Sequence, residues 1–106
     1  MKDCIFCKIA NRKTDTEIIY ENKNFVVFKD INPRAPKHFL IVPKKHTKDI
    51  VAADDELWAQ IRQTATKLQK FLKLDGFRLV INAGSMIAVP HLHVHFLAGL
   101  GKDAEI

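Results

Sequence analysis

At residues 91–97 the chain reads His-Leu-His-Val-His-Phe-Leu, an imidazole at every second position with an apolar residue in each gap. Period two is the pattern of a β-strand with one buried face. On such a strand Leu92, Val94 and Phe96 enter a core, while His91, His93 and His95 stand together on the opposite face. Residues two apart on a strand are roughly 6.5–7 Å from each other, so the imidazoles can serve one bound group or be divided between two sites. Three of the chain's five histidines lie in this row. Chance rarely repeats so uncommon a residue so regularly, and the row is read as a site rather than as a solvated strand face.

The segments around it supply the rest of a sheet. Residues 4–10 form a short helix or turn, and 11–15 a polar loop. Residues 17–20 and 25–28 are β-branched and aromatic runs joined by Glu21-Asn22-Lys23-Asn24, which predicts a hairpin. A loop with two prolines at 30–36 leads to a strand at 38–42, apolar throughout and therefore buried on both faces. Residues 54–74 carry Leu57, Trp58, Ile61, Ala65, Leu68 and Leu72 at threes and fours, the stripe of an amphipathic helix. Asp54 or Asp55 caps its start, Gly76 stops it, and Trp58 and Phe71 are expected in the core or a dimer contact. A fourth strand at 77–82 precedes the histidine strand, which Pro90 opens. The predicted fold is α+β: an antiparallel five-stranded sheet with one long helix on one face and a short N-terminal helix.

The length, 106 residues, suits one domain spanning 1–106. No run approaches the roughly 20 apolar residues of a membrane helix, and no charged-then-apolar leader is present, so a cytoplasmic setting is expected. The net charge of +5 favours anionic ligands in general. The basic residues are dispersed, apart from Lys37, Lys44, Lys45 and Lys48. They lack the interleaved aromatics that stack bases, which ranks polymeric nucleic acid last among partners.

Two chemistries fit these residues. Cys4 and Cys7, spaced Cys-x-x-Cys, read as a metal half-site or a reduced pair, and with two histidines would complete a tetrahedral structural zinc site. Alternatively, a neutral imidazole, with its ordinary pKa near about 6.5, can attack a phosphoryl centre and form a covalent phosphorus–nitrogen bond that water then cleaves. A second histidine would bind the phosphate oxygens or serve the leaving group, and a third group would fix the tautomer of the first. The two are compatible if they use different histidines.

The motif His91-Leu92-His93-Val94-His95-Phe96-Leu97 resembles the signature of the histidine triad family, in its small nucleotide-binding branch. The resemblance runs through most of the chain. Cys4-Ile5-Phe6-Cys7-Lys8-Ile9 is similar to the opening segment of many microbial members. Asp30-Ile31, Pro33, Pro36 and His38 through His46 resemble the middle block, and Asn82 and Gly84 the loop before the triad. The resemblance implies hydrolysis or transfer at the α-phosphate of purine nucleoside phosphoramidates or related adenylated compounds, through a nucleotidyl-histidine intermediate. It places the nucleophile at His93, with His95 on the phosphate or leaving group and His38 supporting orientation. Asp30 would hold the ribose hydroxyls, Ile31 and Phe6 would lie near the base, and Asn82 near the phosphate. It further implies a structural zinc on Cys4, Cys7, His46 and His91, and a homodimer.

One stretch departs from the family. Where a Gly-Gln-Ser-Val run is usual before the triad, this chain has Ile87 in place of glutamine and Ala88 in place of serine. Isoleucine donates no hydrogen bond, so that contact falls to backbone amides or is lost. The competing expectation is therefore a nucleotide- or partner-binding protein with little turnover.

Overall fold

The computed structural model describes residues 4–105. Its elements are α1 (Ile5–Ala10), β1 (Ile18–Glu21), β2 (Phe25–Lys29), β3 (Lys37–Pro43), α2 (Asp55–Phe71), β4 (Arg78–Val80), a 3-10 turn (Gly84–Met86) and β5 (Val94–Ala98). All strand pairs are antiparallel in the order β1-β2-β3-β5-β4. This is the α+β sheet that the sequence predicts. No helix among the described residues is long and apolar enough to cross a membrane.

β3 is apolar from Phe39 to Pro43 because both of its faces are covered there. Phe39 and Ile41 join Phe25, Val27, Val94 and Phe96 against Ile61, Ala65 and Leu68 of α2. Leu40 and Val42 join Val26 and Phe28 on the other side, where Phe6 and Ile9 of α1 close over them. Each of these side chains other than Ala65 contributes roughly 1.5–3 kcal/mol when fully withdrawn from water. A register shift between Ile18 and Tyr20 lets Ile18 face the α1 side while Ile19 and Tyr20 both pack on the α2 side.

The histidine strand begins later than its pattern predicts. Pairing with β3 runs from Lys37↔Ala98 to Ile41↔Val94 and stops there. Continuing it would bring Pro43 opposite Leu92, and proline has no N–H for the ladder. Leu92 N–H instead donates to the Thr47 carbonyl at 2.6 Å, and His91 N–H to Val89 at 2.8 Å. The alternation of faces nevertheless persists, since Leu92, Val94 and Phe96 all enter the α2-side core.

Helix α2 is capped by Asp54, whose side chain accepts from the Leu57 amide at 2.8 Å. It ends at Phe71, short of Gly76. Lys73 takes the left-handed conformation at φ 56°, with its N–H on Lys70 and that of Leu74 on Gln69. Replacing Lys73 with glycine removes the Cβ penalty there, offset partly by the freer unfolded chain. The expected result is a gain of roughly 0.5–1 kcal/mol, read as a higher urea midpoint at unchanged slope.

The aromatic residues of α2 do not take the first of their two expected placements, the core. Trp58 and Phe71 are 47% and 59% exposed and lie outside the core, and the buried stripe includes Thr64 instead. Thr64 is tolerated there because its hydroxyl donates to the Gln60 carbonyl at 2.8 Å and accepts from Asn22 Nδ2 at 3.1 Å.

Candidate functional site

Two clusters of side chains meet on the α1 side of the sheet, and residues 91–93 connect them. The first forms because α1 carries Cys4 at its N-cap and Cys7 one turn later, with the Cys7 amide donating to Cys4 Sγ at 3.3 Å. Beyond β3 the chain turns through Lys44 and Lys45 to His46, whose Nδ1 lies 3.3 Å from Cys7 Sγ. His91 is fully buried, with Nδ1 at 3.2 Å from Cys4 Sγ and 3.4 Å from Cys7 Sγ. The four ligand atoms all lie within 4.8 Å of one another.

The cluster passes two tests of fit to a metal. A tetrahedral zinc with sulfur at about 2.3 Å and nitrogen at about 2.0 Å has S···N edges of roughly 3.5 Å, close to the separations found. The tautomer is also right: His91 Nε2–H donates to the Pro43 carbonyl at 2.8 Å, which leaves the Nδ1 lone pair facing the sulfurs. Burial lowers the pKa of His91 and so favours this neutral form. Burial and the adjacent Cys4 raise that of Cys7, a pressure that a cation would relieve.

The second cluster is His93, His95, His38 and Asp30. His93 Nδ1 lies 2.9 Å from the His91 carbonyl, so Nδ1 carries the proton and Nε2 the free lone pair. The other two imidazoles are ordered in the same way. The Arg34 N–H donates to His38 Nδ1 at 2.9 Å, which puts the His38 proton on Nε2. His38 Nε2–H then donates to His95 Nδ1 at 2.9 Å, and His95 carries its own proton on Nε2. β3 and β5 make this contact possible, because pairing of His38 with Leu97 sets His38 diagonal to His95 on one face. Asp30 Oδ2 stands 3.4 Å from His38 Nε2 and 3.8 Å from His95 Nδ1. Although these three groups are close enough for a cation, the Arg34 amide requires the proton that fills the gap, so His38 and His95 form a hydrogen-bonded chain with the Asp30 carboxylate beside it.

The remaining predicted residues are placed unequally. Phe6 packs T-shaped against His93 and His91, with ring centroids at 5.0 and 6.0 Å. Ile31 is 92% exposed in the loop between β2 and β3 and is not gathered with Phe6. Asn82 is partly exposed between β4 and the 3-10 turn. Asp30 has one carboxylate oxygen committed to the Asn32 amide at 2.8 Å.

Sequence reading passes over Asp49. This buried carboxylate accepts from the amides of Val51, Ala52 and Gly84 at 3.1, 3.2 and 3.1 Å. It thereby ties the segment after His46 to the loop before the triad, and the Gly84 amide leads the contacts that lower its pKa. Its one local signal is an aspartate directly ahead of a turn. An open cleft of about 450 Å³ at the start of α2, lined by Lys44, Lys45, Asp54 and Glu56 among others, includes none of the site histidines.

Burial also lowers the pKa of His95, with further repulsion from His93 and His38. The unfolded chain therefore protonates near the ordinary value of 6.5, while folded His91 and His95 resist until lower pH. Between those limits the unfolded state binds more protons, so the contribution of these two histidines is level above pH 6.5 and stability falls as pH drops below it. Melting temperatures of metal-free protein across that range measure the effect.

Comparison with known proteins yields one family. The model described as "Scavenger mRNA decapping enzyme C-term binding" matches residues 3–103. Protein HitA of Neisseria gonorrhoeae is 38% identical over 103 residues, covering 92% of this chain and 96% of its own. The adenosine 5'-monophosphoramidase HINT3 of Danio rerio is 40% identical over 104 residues, covering 92% of this chain; that match spans 65% of the fish protein. A histidine triad protein from Clostridium difficile superposes with a TM-score of 0.91 at 38% identity, covering 100% of this chain and 98% of its own. A HIT family hydrolase from Clostridium thermocellum gives 0.89 at 34% identity, with the same coverage. A zinc-bound histidine triad family protein from Mycobacterium smegmatis gives 0.83 at 29% identity, covering 96% of this chain and 78% of its own.

Proposed function

The chain belongs to the histidine triad family, and on that premise we propose that it is a nucleotide hydrolase acting at the α-phosphate of purine nucleoside phosphoramidates or related adenylated compounds. The observation that carries this reading is the bond between His93 Nδ1 and the His91 carbonyl. It presents a neutral Nε2 lone pair as nucleophile. In the first step the phosphorus–Nε2 bond forms as the phosphorus–amine bond breaks, the departing nitrogen taking a proton from solvent that the attacking water gives back in the second step. In the second, water adds to phosphorus, the Nε2 bond breaks, and a nucleoside monophosphate leaves.

His95 supports both steps as a hydrogen-bond donor. Its Nε2–H is held in that state by the chain from the Arg34 amide through His38, and a donor fixed before charge develops needs no reorganisation. Asp30 and Phe6 belong in this reading to ribose and base, Asn82 to the phosphate. Ile31 enters it only by closure of the exposed loop over the nucleotide. The choice of an adenylated amine rests on the activity named for the fish relative.

Cys4, Cys7, His46 and His91 would hold zinc, which with four protein ligands cross-links α1 to the sheet and leaves no open position for chemistry. Release of AMP from an adenosine phosphoramidate tests the reading, with His93→Ala as control; equal turnover by both would refute it. A second reading, nucleotide binding without turnover, is favoured by Ile87 and Ala88 at the positions of the missing donors. Tight AMP binding with no turnover of any adenylated amine would select it.

A further inference from the structure

We propose that the Cys4, Cys7, His46 and His91 centre and the nucleotide site are thermodynamically coupled, so that a divalent cation in the first tightens nucleotide binding at the second and the reverse. The inference rests on the reading above and extends it to regulation of the same site.

Two physical connections carry the coupling. The first is His91 itself. Its ring faces the sulfurs through Nδ1 and is anchored to Pro43 through Nε2, while its main-chain carbonyl receives the proton of His93 Nδ1. Fixing the ring of His91 therefore fixes the group that orients His93. The second is Phe6, which lies between the two cysteines in sequence and packs T-shaped on both His93 and Phe28, with ring centroids 5.0 and 5.7 Å apart.

α1 has only six residues, far below the length at which a helix stands alone in water. Its hold on the sheet consists of buried Phe6 and Ile9 together with the two thiols. Ligation through the thiols and contact of a nucleotide base with Phe6 both require α1 to be docked. Whichever ligand binds first meets the ordering cost, and the second then binds more tightly. Linkage makes the two enhancements equal.

The test measures affinities rather than turnover. Zinc is titrated into metal-free full-length protein against a chelating dye, with and without saturating AMP, and AMP binding is followed calorimetrically with and without zinc. The expected result is at least about a fivefold tightening in each direction, of equal size. Phe6→Leu, which keeps an apolar side chain under α1, should reduce the factor towards one while zinc still binds. Zinc affinity unchanged by AMP in the wild-type protein, with both ligands bound, overturns the coupling alone. Absence of AMP binding overturns the functional reading and the coupling with it.

Discussion

His93→Ala is expected to slow release of AMP from an adenosine phosphoramidate by on the order of 10⁴-fold or more, because the route through a covalent intermediate disappears with its nucleophile. Neither neighbour can replace it. His95 has its Nδ1 occupied by His38 and its Nε2 protonated, and His91 directs Nδ1 at two sulfurs and Nε2 at Pro43. The structural penalty is small by comparison. The ring is 8% exposed and makes one hydrogen bond, to the His91 carbonyl, worth about 1 kcal/mol. AMP should still bind, since the ribose and base contacts are untouched. The catalytic assignment would be sunk by a variant that melts like the wild type yet retains turnover within tenfold.

Chelation of a metal at the proposed Cys4, Cys7, His46 and His91 site should have the largest effect on stability. An ion held on Cys4, Cys7, His46 and His91 favours the folded state, where all four ligands converge, and at a hundred to a thousand times its dissociation constant adds up to about 3–4 kcal/mol. For a domain of this size that corresponds to a fall in melting temperature on the order of 10 °C or more upon chelation. Cys7→Ser should melt as the chelated wild type does and lose nothing further to the chelator, because its Sγ contacts both His46 and His91. Identical melting of wild-type protein with and without a strong chelator would show that no such ion contributes.

The alternation at 91–97 told correctly which residues face α2 and which face α1, because side-chain period survives even where strand pairing does not. It could not tell where pairing stops, since that depends on Pro43, a distant residue without an N–H. The continuous apolarity of 39–42 announced a strand covered on both sides, as β3 is. Helix α2 was legible in its stripe, but not its end, where Lys73 adopts a backbone conformation that glycine more often supplies. The triad histidines, His38 and the Cys-x-x-Cys pair were visible as residue types. The carbonyls of His91 and Pro43 and the amide of Arg34, which set the tautomers, have no residue signature at all. Asp49 was hidden because its partners are backbone amides, one of them 35 positions away. Ile31 was legible only through family resemblance, and the structure leaves it open to solvent.

The role of His93 is tested most directly by trapping the intermediate. Protein mixed rapidly with an adenosine phosphoramidate, quenched in base to preserve phosphorus–nitrogen bonds and mapped by peptide mass spectrometry should carry one adenylyl group on His93. It should form no more slowly than AMP appears, and be absent from His93→Ala. Steady AMP release with no adduct on His93, or with the adenylyl group on another residue, would contradict the account.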